Sequence, residues 1–333
     1  MPNLTTLVTL TYGDRYNYLH TLISRSLESP QIERVIVVSN ASSAPLHALV
    51  DTWPDQVRII HLPTNTGSAN GYAVGIQAAL DAGAQYLWLM DDDNAPTINA
   101  IDALHDRLQR LEPAYGADRV AVVGFRPTHQ ADIAMGVPQR FAIQPRSSFF
   151  GFHITQLPYK LWRRLPWGRP RPASQLPSLV QLPFATYGGL LAHHSLYRRI
   201  GLPLEALKLY ADDTEYTWRI TARGGRIFLV PEAVLDDLEH SWNIKARTNN
   251  IYENYLLGGS DLRAYYGARN QAWFDKHVWA ASPRVYQLNR WLFFCLLRVF
   301  ARRCEAKTRL KLLEKAIADG ESGLLGLHRS YPL

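Results

Sequence analysis

Residues 4–90 alternate between two kinds of segment, and that alternation restricts the fold more than any other feature of the chain. The runs "LTTLVTLTYG", "RVIVVSN", "VRIIHLP" and "QYLWLM" are short and apolar, with the β-branched and aromatic content of strands. Between them "YNYLHTLISRSLES", "APLHALVDTW" and "ANGYAVGIQAALDAG" carry apolar residues at helical spacing. Strands that are apolar throughout and return only after a helix predict a parallel sheet covered on both faces, an α/β fold. Sheets of this kind take ligands beyond the carboxyl ends of their strands. Tyr12, Asn40, Leu62–Asn65 and Asp91–Asp93 fall at such ends, so four loops are expected to converge on one edge.

The last of those loops carries the strongest chemical signal. "LWLMDDDNAP", residues 87–96, runs an apolar strand into three consecutive aspartates. Like charges so placed repel unless a cation lies among them, and Mg²⁺ or Mn²⁺ takes such oxygen ligands while leaving positions open for phosphate. In an extended segment Asp91 and Asp93 point to one side and Asp92 to the other. The other reading is a plain helix cap, with Asn94 and Pro96 as ordinary helix-start residues.

Two more acidic clusters follow. In "LYADDTEYTWR" a helix starting near Asp212 gathers Asp212, Asp213 and Glu215 in its first turn. The helix dipole and an Asp212–Glu215 pair like a capping box account for them without chemistry. Equally, one of them held ionised there serves as a general base toward a hydroxyl. "LDDLEHSWN" places His240 just past a strand, where an imidazole suits Mn²⁺ beside carboxylates, although a lone histidine is commonly plain polar surface. Gly67, Gly71 and Gly75, spaced by four, do not make the dinucleotide fingerprint; they permit close packing of a helix or close approach of a ligand.

Residues 97–112 read as a helix and "RVAVVGF" as a strand, whereas 126–182 show no sustained period, as in a functional lid or a disordered segment. Order resumes at "FATYGGLLAHHSLYRRIGLP", a strand "RIFLVP" follows the acidic helix, and the pattern beyond Asn249 is helical. The net charge of +7 suits an anionic partner, and Lys and Arg crowd into "KLWRRLPWGRPRP" and "LLRVFARRCEAKTRLKLLEK". Phe149, Phe150, Trp162 and Trp167 are residue types that stack on sugars or sit at a membrane interface. In the tail, Trp291, Phe293, Phe294, Leu297 and Phe300 alternate with Arg290, Arg298, Arg302 and Arg303, a pattern shared by a helix lying on an anionic leaflet and a helix packed as core. "WLFFCLL" is far too short to span a bilayer. Cys295 and Cys304 lie together in one basic segment, which excludes a disulfide framework and points to a reducing compartment. A strand begins almost directly after Met1, so no standard secretory leader is expected.

Taken in order, "TYGDR", "VVSNAS", "NTGSANGYAVGIQAAL", "DDDNAP", "GGLLAHHSLYRRIG", "DDTEYTWRI", "EHSW" and "YYGARN" resemble an inverting family 2 glycosyltransferase of the GT-A fold, over most of the chain. The tail "LLEKAIADGESGLLG" is similar to the closing helix of bacterial members that build surface polysaccharides. The resemblance implies a Rossmann-like, mixed but mostly parallel sheet with helices on both faces. It implies a catalytic domain over 1–245, with a nucleotide-sugar half 1–95 and an acceptor half 96–245, and a C-terminal helical region 246–333 that contacts acceptor or membrane surface. Carried over by position, it puts Thr11, Tyr12, Asn40, Asn65 and Asp92 at the nucleotide, and Asp91, Asp93 and His240 at Mn²⁺ or Mg²⁺. Asp213 becomes the catalytic base, and Gly188, Gly189, Asp212, Glu215 and Trp242 face the donor and acceptor sugars. Ser39 departs from the pattern, standing where many members have an acid.

The doubled acid before "TEY" is most similar to galactofuranosyl-transferring members. The implied reaction moves galactofuranose from UDP-galactofuranose onto a glycan or lipid-linked glycan in O-antigen-like surface polysaccharide synthesis. Its place would be cytoplasmic, peripheral on the inner face of a bacterial plasma membrane, and dTDP-rhamnose is the alternative donor. A haloacid-dehalogenase-type phosphatase shares D-x-D after a strand, but on its first strand, whereas three strands precede it here. A noncatalytic sugar-binding protein of the same fold is the rival outside enzymes, opposed by the intact acidic clusters. Nucleic-acid binding accounts for the charge and for none of the carboxylates.

Overall fold

The computed structural model describes residues 4–172, 175–239 and 250–333. The chain begins β1 (Thr5–Thr11), α1 (Tyr16–Leu27), β2 (Ile32–Asn40), α2 (His47–Thr52), β3 (Val57–Leu62), α3 (Ser68–Asp81), β4 (Tyr86–Asp91). It continues β5 (Asn94–Pro96), α4 (Ala100–Tyr115), β6 (Val120–Phe125), α5 (Ala131–Ala134), α6 (Gln139–Ala142), α7 (Leu157–Trp162), β7 (Val180–Leu182), β8 (Leu190–His193) and α8 (His194–Ile200). It ends α9 (Asp212–Ala222), β9 (Arg226–Asp237), α10 (Ile251–Leu257), α11 (Asp261–Phe274), α12 (Pro283–Arg303) and α13 (Lys307–Glu321). The described residues form two compact units, one of 4–131, 175–208 and 212–239, the other of 132–172, 209–211 and 250–333.

The first unit is built on a sheet of order β3-β2-β1-β4-β8-β6-β9-β5, with β7 also paired to β9. β1 to β4 are mutually parallel, β8 runs antiparallel between β4 and β6, and β6 and β9 are parallel again. The expected parallel sheet is therefore mixed and mostly parallel. Period 2 divides its side chains between two cores. Leu7, Val35, Val37 and Trp88 join Leu19, Leu22 and Ile23 of α1 and Leu104 and Leu108 of α4. On the opposite face α3 lies close: a Cβ on Gly75 would stand 2.5 Å from Val8 and 3.1 Å from Val38, and one on Gly71 would collide with Leu10. Gly71 and Gly75 thus serve helix packing, while Gly67 precedes the helix with φ +87. Chain order runs outward from β1 to β3 and then returns to β4 on the other side of β1, which makes the ends of β1 and β4 the switch point where such sheets take ligands.

The aspartates do not cap α4. Asn94–Pro96 form a strand instead, pairing with Leu235–Asp237 of β9, and α4 starts only at Ala100. Three residues are too few to show a period, so nothing in the sequence marked this strand.

The second unit gathers residues 132–172 with the C-terminal helices, a grouping that differs from a cut at 245/246. Its core packs Phe149, Phe150 and Phe152 with Tyr265, Tyr266, Tyr286, Phe293, Phe294 and Leu297. Phe149 and Phe150 are buried, which removes them from any sugar- or lipid-facing surface. On α12 the face bearing Phe293, Phe294 and Leu297 is core, while Trp291 is 60% exposed. Among the described residues no helix is long and apolar enough to cross a membrane.

Candidate active site

The site lies at the carboxyl edge of the first unit's sheet. β4 delivers Asp91, and the chain then turns before β5, so the simple alternation of an extended strand is lost. Asp91 Oδ1 accepts from Tyr72 Oη at 3.0 Å and Oδ2 pairs with Arg126 Nη1 at 3.2 Å. Asp92 and Asp93 share a different cation. Arg15 Nε donates to both Asp92 oxygens at 3.0 and 2.9 Å, and Nη2 lies 3.2 Å from Asp93 Oδ2. Arg15 also reaches Glu239 at 2.7 Å and lies over the Tyr12 ring at 5.4 Å. Arg126, at the end of β6, closes on Asp237 at the end of β9 at 2.7 Å. The two arginines partly relieve the repulsion that the three aspartates would otherwise suffer.

The relief is incomplete. Burial pushes Asp93 up to about 7, with Asp91 and Asp92 adding to the shift. Burial lifts Asp92 to about 6 against the opposing pull of Arg15 and the Thr11 hydroxyl. The Tyr72 hydroxyl is held well above its ordinary range by burial and by Asp91.

α9 brings the second acidic cluster to the same place. Asp212 is buried and accepts from Ser68 Oγ at 2.9 Å. Asp213 Oδ1 accepts from its neighbour Thr214 at 2.6 Å (backbone) and 3.2 Å (hydroxyl). Burial raises both carboxyls, Asp212 further through Asp213, and Asp213 further through Asp91. Tyr187 stands between the clusters, its ring 4.0 Å from Tyr72 and its hydroxyl raised by burial and then by Asp212 and Asp213. Glu215 is held by Arg219 through two bonds of 2.7 and 2.6 Å, an i,i+4 pair within α9.

Gly188 borders the aspartates. A Cβ there would fall 2.5 Å from Asp91 Oδ2, 2.6 Å from Asn94 Oδ1 and 3.1 Å from Arg126 Nη1. Asn94 Oδ1 is buried with no hydrogen-bond partner among the described residues, although Nδ2 donates to Asp93 and Asp237 at 3.2 Å each. Gly189 has φ +95 and passes close to Gly124, which accounts for glycine at this position. Asn40 and Asn65 bond to each other at 2.8 Å, and Asn40 Oδ1 accepts from Thr66 N at 2.8 Å. They stitch the loop that leads into α3. His240 and Trp242 lie outside the described residues.

Among the described residues no three His, Cys, Asp or Glu side chains are gathered to hold an ion. The donor chemistry nevertheless fits a hard divalent cation. Asp91 Oδ2 and Asn94 Oδ1, which has no hydrogen-bond partner among the described residues, both border Gly188, and the raised Asp93 carboxyl is one whose ionised form a bound cation would favour. Arg15 and Arg126 were not singled out in the sequence; the arginine of "TYGDR" was visible, but a lone arginine carries no pattern.

Residues 6–164 match the sequence profile of the family Glycosyl transferase family 2. A 64-residue stretch is 36% identical to the galactofuranosyltransferase GlfT1 of Mycolicibacterium smegmatis, covering 19% of this chain and 21% of that protein. The chain thus matches about a fifth of that relative's length. Among solved structures, GalNAc-T7 crystallised with UDP, GalNAc and Mn²⁺ superposes with a TM-score of 0.50 at 14% identity, over 96% of this chain and 58% of that one. Residues 1–349 of S. aureus TarS give 0.50 at 13% identity, over 96% and 83%. The mixed sheet with its flanking helices is shared with these GT-A structures.

Proposed function

We propose that this chain, which carries a glycosyl transferase family 2 domain over residues 6–164, moves a sugar from a nucleotide-sugar donor to a glycan hydroxyl with inversion. The observation that carries the reading is that Asp91 at the end of β4 and Asp213 in the first turn of α9, far apart in sequence, come near enough for Asp91 to raise the Asp213 carboxyl. Asp213 takes the proton of the acceptor hydroxyl as that oxygen bonds to the anomeric carbon. The bond to the diphosphate breaks, and its electron pair leaves with the diphosphate. General-base action of this kind is worth ~10²- to 10⁴-fold. Asp91, Asp93 and the Asn94 carbonyl oxygen would hold Mn²⁺ or Mg²⁺, and a bound ion offsets charge on the leaving diphosphate. Mn²⁺ in the GalNAc-T7 crystals supports that choice.

The finer reading is galactofuranose from UDP-galactofuranose, transferred to a glycan or lipid-linked glycan of a cell surface. The 36% match to a galactofuranosyltransferase supports it. A peripheral position at the inner membrane face belongs to the same reading. A thermal-shift panel of nucleotide sugars with Mn²⁺ tests it, because ligand that binds only the native state raises Tm. UDP-galactofuranose is expected to give the largest rise. The largest rise with dTDP-rhamnose would change the donor, and no rise with any nucleotide sugar would overturn the reading.

A further inference from the structure

Between Asp132 and Glu205 the sequence contains no acidic residue, while residues 133–172 contain seven Lys or Arg. The segment is folded. Tyr159 of α7 stacks on Phe141 at 3.9 Å and 4° and on Trp162 at 5.7 Å, and Arg163 pairs with Asp132 at 2.8 Å. Gly168 lies so close on Trp162 that a Cβ would collide with its carbonyl oxygen. This anchoring presents a tip of large apolar side chains to solvent: Leu161 is 57% exposed, Trp162 46%, Leu165 41% and Trp167 74%. Arg164, Arg169 and Arg171, all exposed, lie within a few residues of these side chains in the chain.

We propose that the 157–171 loop of the second unit docks on an anionic lipid surface, with Leu161, Leu165 and Trp167 entering the headgroup layer and Arg164, Arg169 and Arg171 meeting lipid phosphates. An exposed apolar cluster of this kind marks an interaction site. Tryptophan partitions to the bilayer interface, and basic residues beside it add attraction to anionic lipid. The aliphatic Leu161 and Leu165 at the tip favour lipid over nucleic acid, which would use stacking rings and cations alone. α12 buries Phe293, Phe294 and Leu297 in the core but exposes Leu288, Trp291, Leu296 and Val299, so a variant of Trp291 is the control that separates the helix from the loop.

Vesicle flotation tests the proposal without any turnover, so it stands or falls separately from sugar transfer. The full chain is floated with phosphatidylcholine vesicles, with and without phosphatidylglycerol. Binding is expected only with phosphatidylglycerol. It should weaken by at least about tenfold in Arg169→Glu/Arg171→Glu, where two cations become anions. Leu165→Ser/Trp167→Ser should weaken it comparably, and Trp291→Ser should leave it unchanged. All these positions are exposed, and an unchanged Tm checks that each variant folds. Quenching of tryptophan fluorescence by brominated lipid should fall in Trp167→Ser. Equal flotation of the loop variants, equal binding to neutral vesicles, loss through Trp291→Ser, or binding of a single-stranded oligonucleotide in place of vesicles would each overturn the proposal.

Discussion

Asp91 at the end of β4 raises the carboxyl of Asp213 in the first turn of α9, on top of the larger effect of burial, while the backbone and hydroxyl of Thr214 oppose both. A general base works deprotonated. Activity should therefore climb with pH along an acid limb displaced above the ordinary carboxylate range. Thr214→Val removes one bond that favours the ionised form and should move that limb to higher pH. Profiles of kcat/KM against pH check both statements.

Gly188→Ala should abolish metal-dependent donor binding, because the new Cβ would sit 2.5 Å from Asp91 Oδ2 and 2.6 Å from Asn94 Oδ1. Gly75→Ala meets Val8 at the same 2.5 Å. It should instead cost about 1 to 3 kcal/mol of stability through overpacking. Calorimetry with UDP and Mn²⁺, paired with urea denaturation, separates the two outcomes.

Arg126→Ala leaves Asp237 and Asp91 without their cation in a largely buried setting. Breaking a buried ion pair from one side costs about 3 to 5 kcal/mol. The lower figure is expected here, since Asp91 keeps Tyr72 and about a third of its surface in water. A shift of the urea midpoint at constant m-value measures it.

Asp275 is fully buried in the second unit, accepting from Phe150 N at 2.7 Å and Gln271 Nε2 at 2.9 Å. Burial pushes it up to about 7 from 3.8. A carboxyl raised by folding favours the native state when protonated. Its contribution is complete below the unfolded value and is lost as pH rises through about 4 to 7. Asp275→Asn should remove that component, so the stability of the variant relative to wild type should rise across this window by a few kcal/mol, roughly 4. Denaturation at pH 4, 5.5 and 7.5 checks the slope.

The elements legible in the sequence were those with an internal period. β1 to β4 are continuous apolar runs, α1 buries Leu19, Leu22 and Ile23 at helical spacing, and α9 announces itself by its acidic first turn. β5 and β7 have three residues each and β8 four, too short to carry a pattern. The amphipathic pattern of α12 was read equally as membrane face or core because the physics of both is the same; only tertiary contact shows Phe293 and Phe294 buried.

The site was legible in its acids and not in its bases. Asp91, Asp92, Asp93, Asp212 and Asp213 stood out as runs of like charge, and folding brings them together. Arg15 and Arg126, which balance them, are single residues whose meaning depends on strands distant in sequence. Asn40 and Asn65 fall at the expected strand ends, where Asn40 Nδ2 donates to Asn65 Oδ1 and ties the loop together. A strand end locates a loop without fixing what its side chains bind.

The most direct measurement of the central claim is transfer by Asp213→Asn alongside its affinity for the donor. Donor binding with Mn²⁺ should stay near wild type, since the carboxylates at the end of β4 are untouched, while the rate of transfer falls by ~10²- to 10⁴-fold or more. Near-normal transfer by this variant would remove Asp213 from the reaction and contradict a single centre built from the β4 and α9 acids.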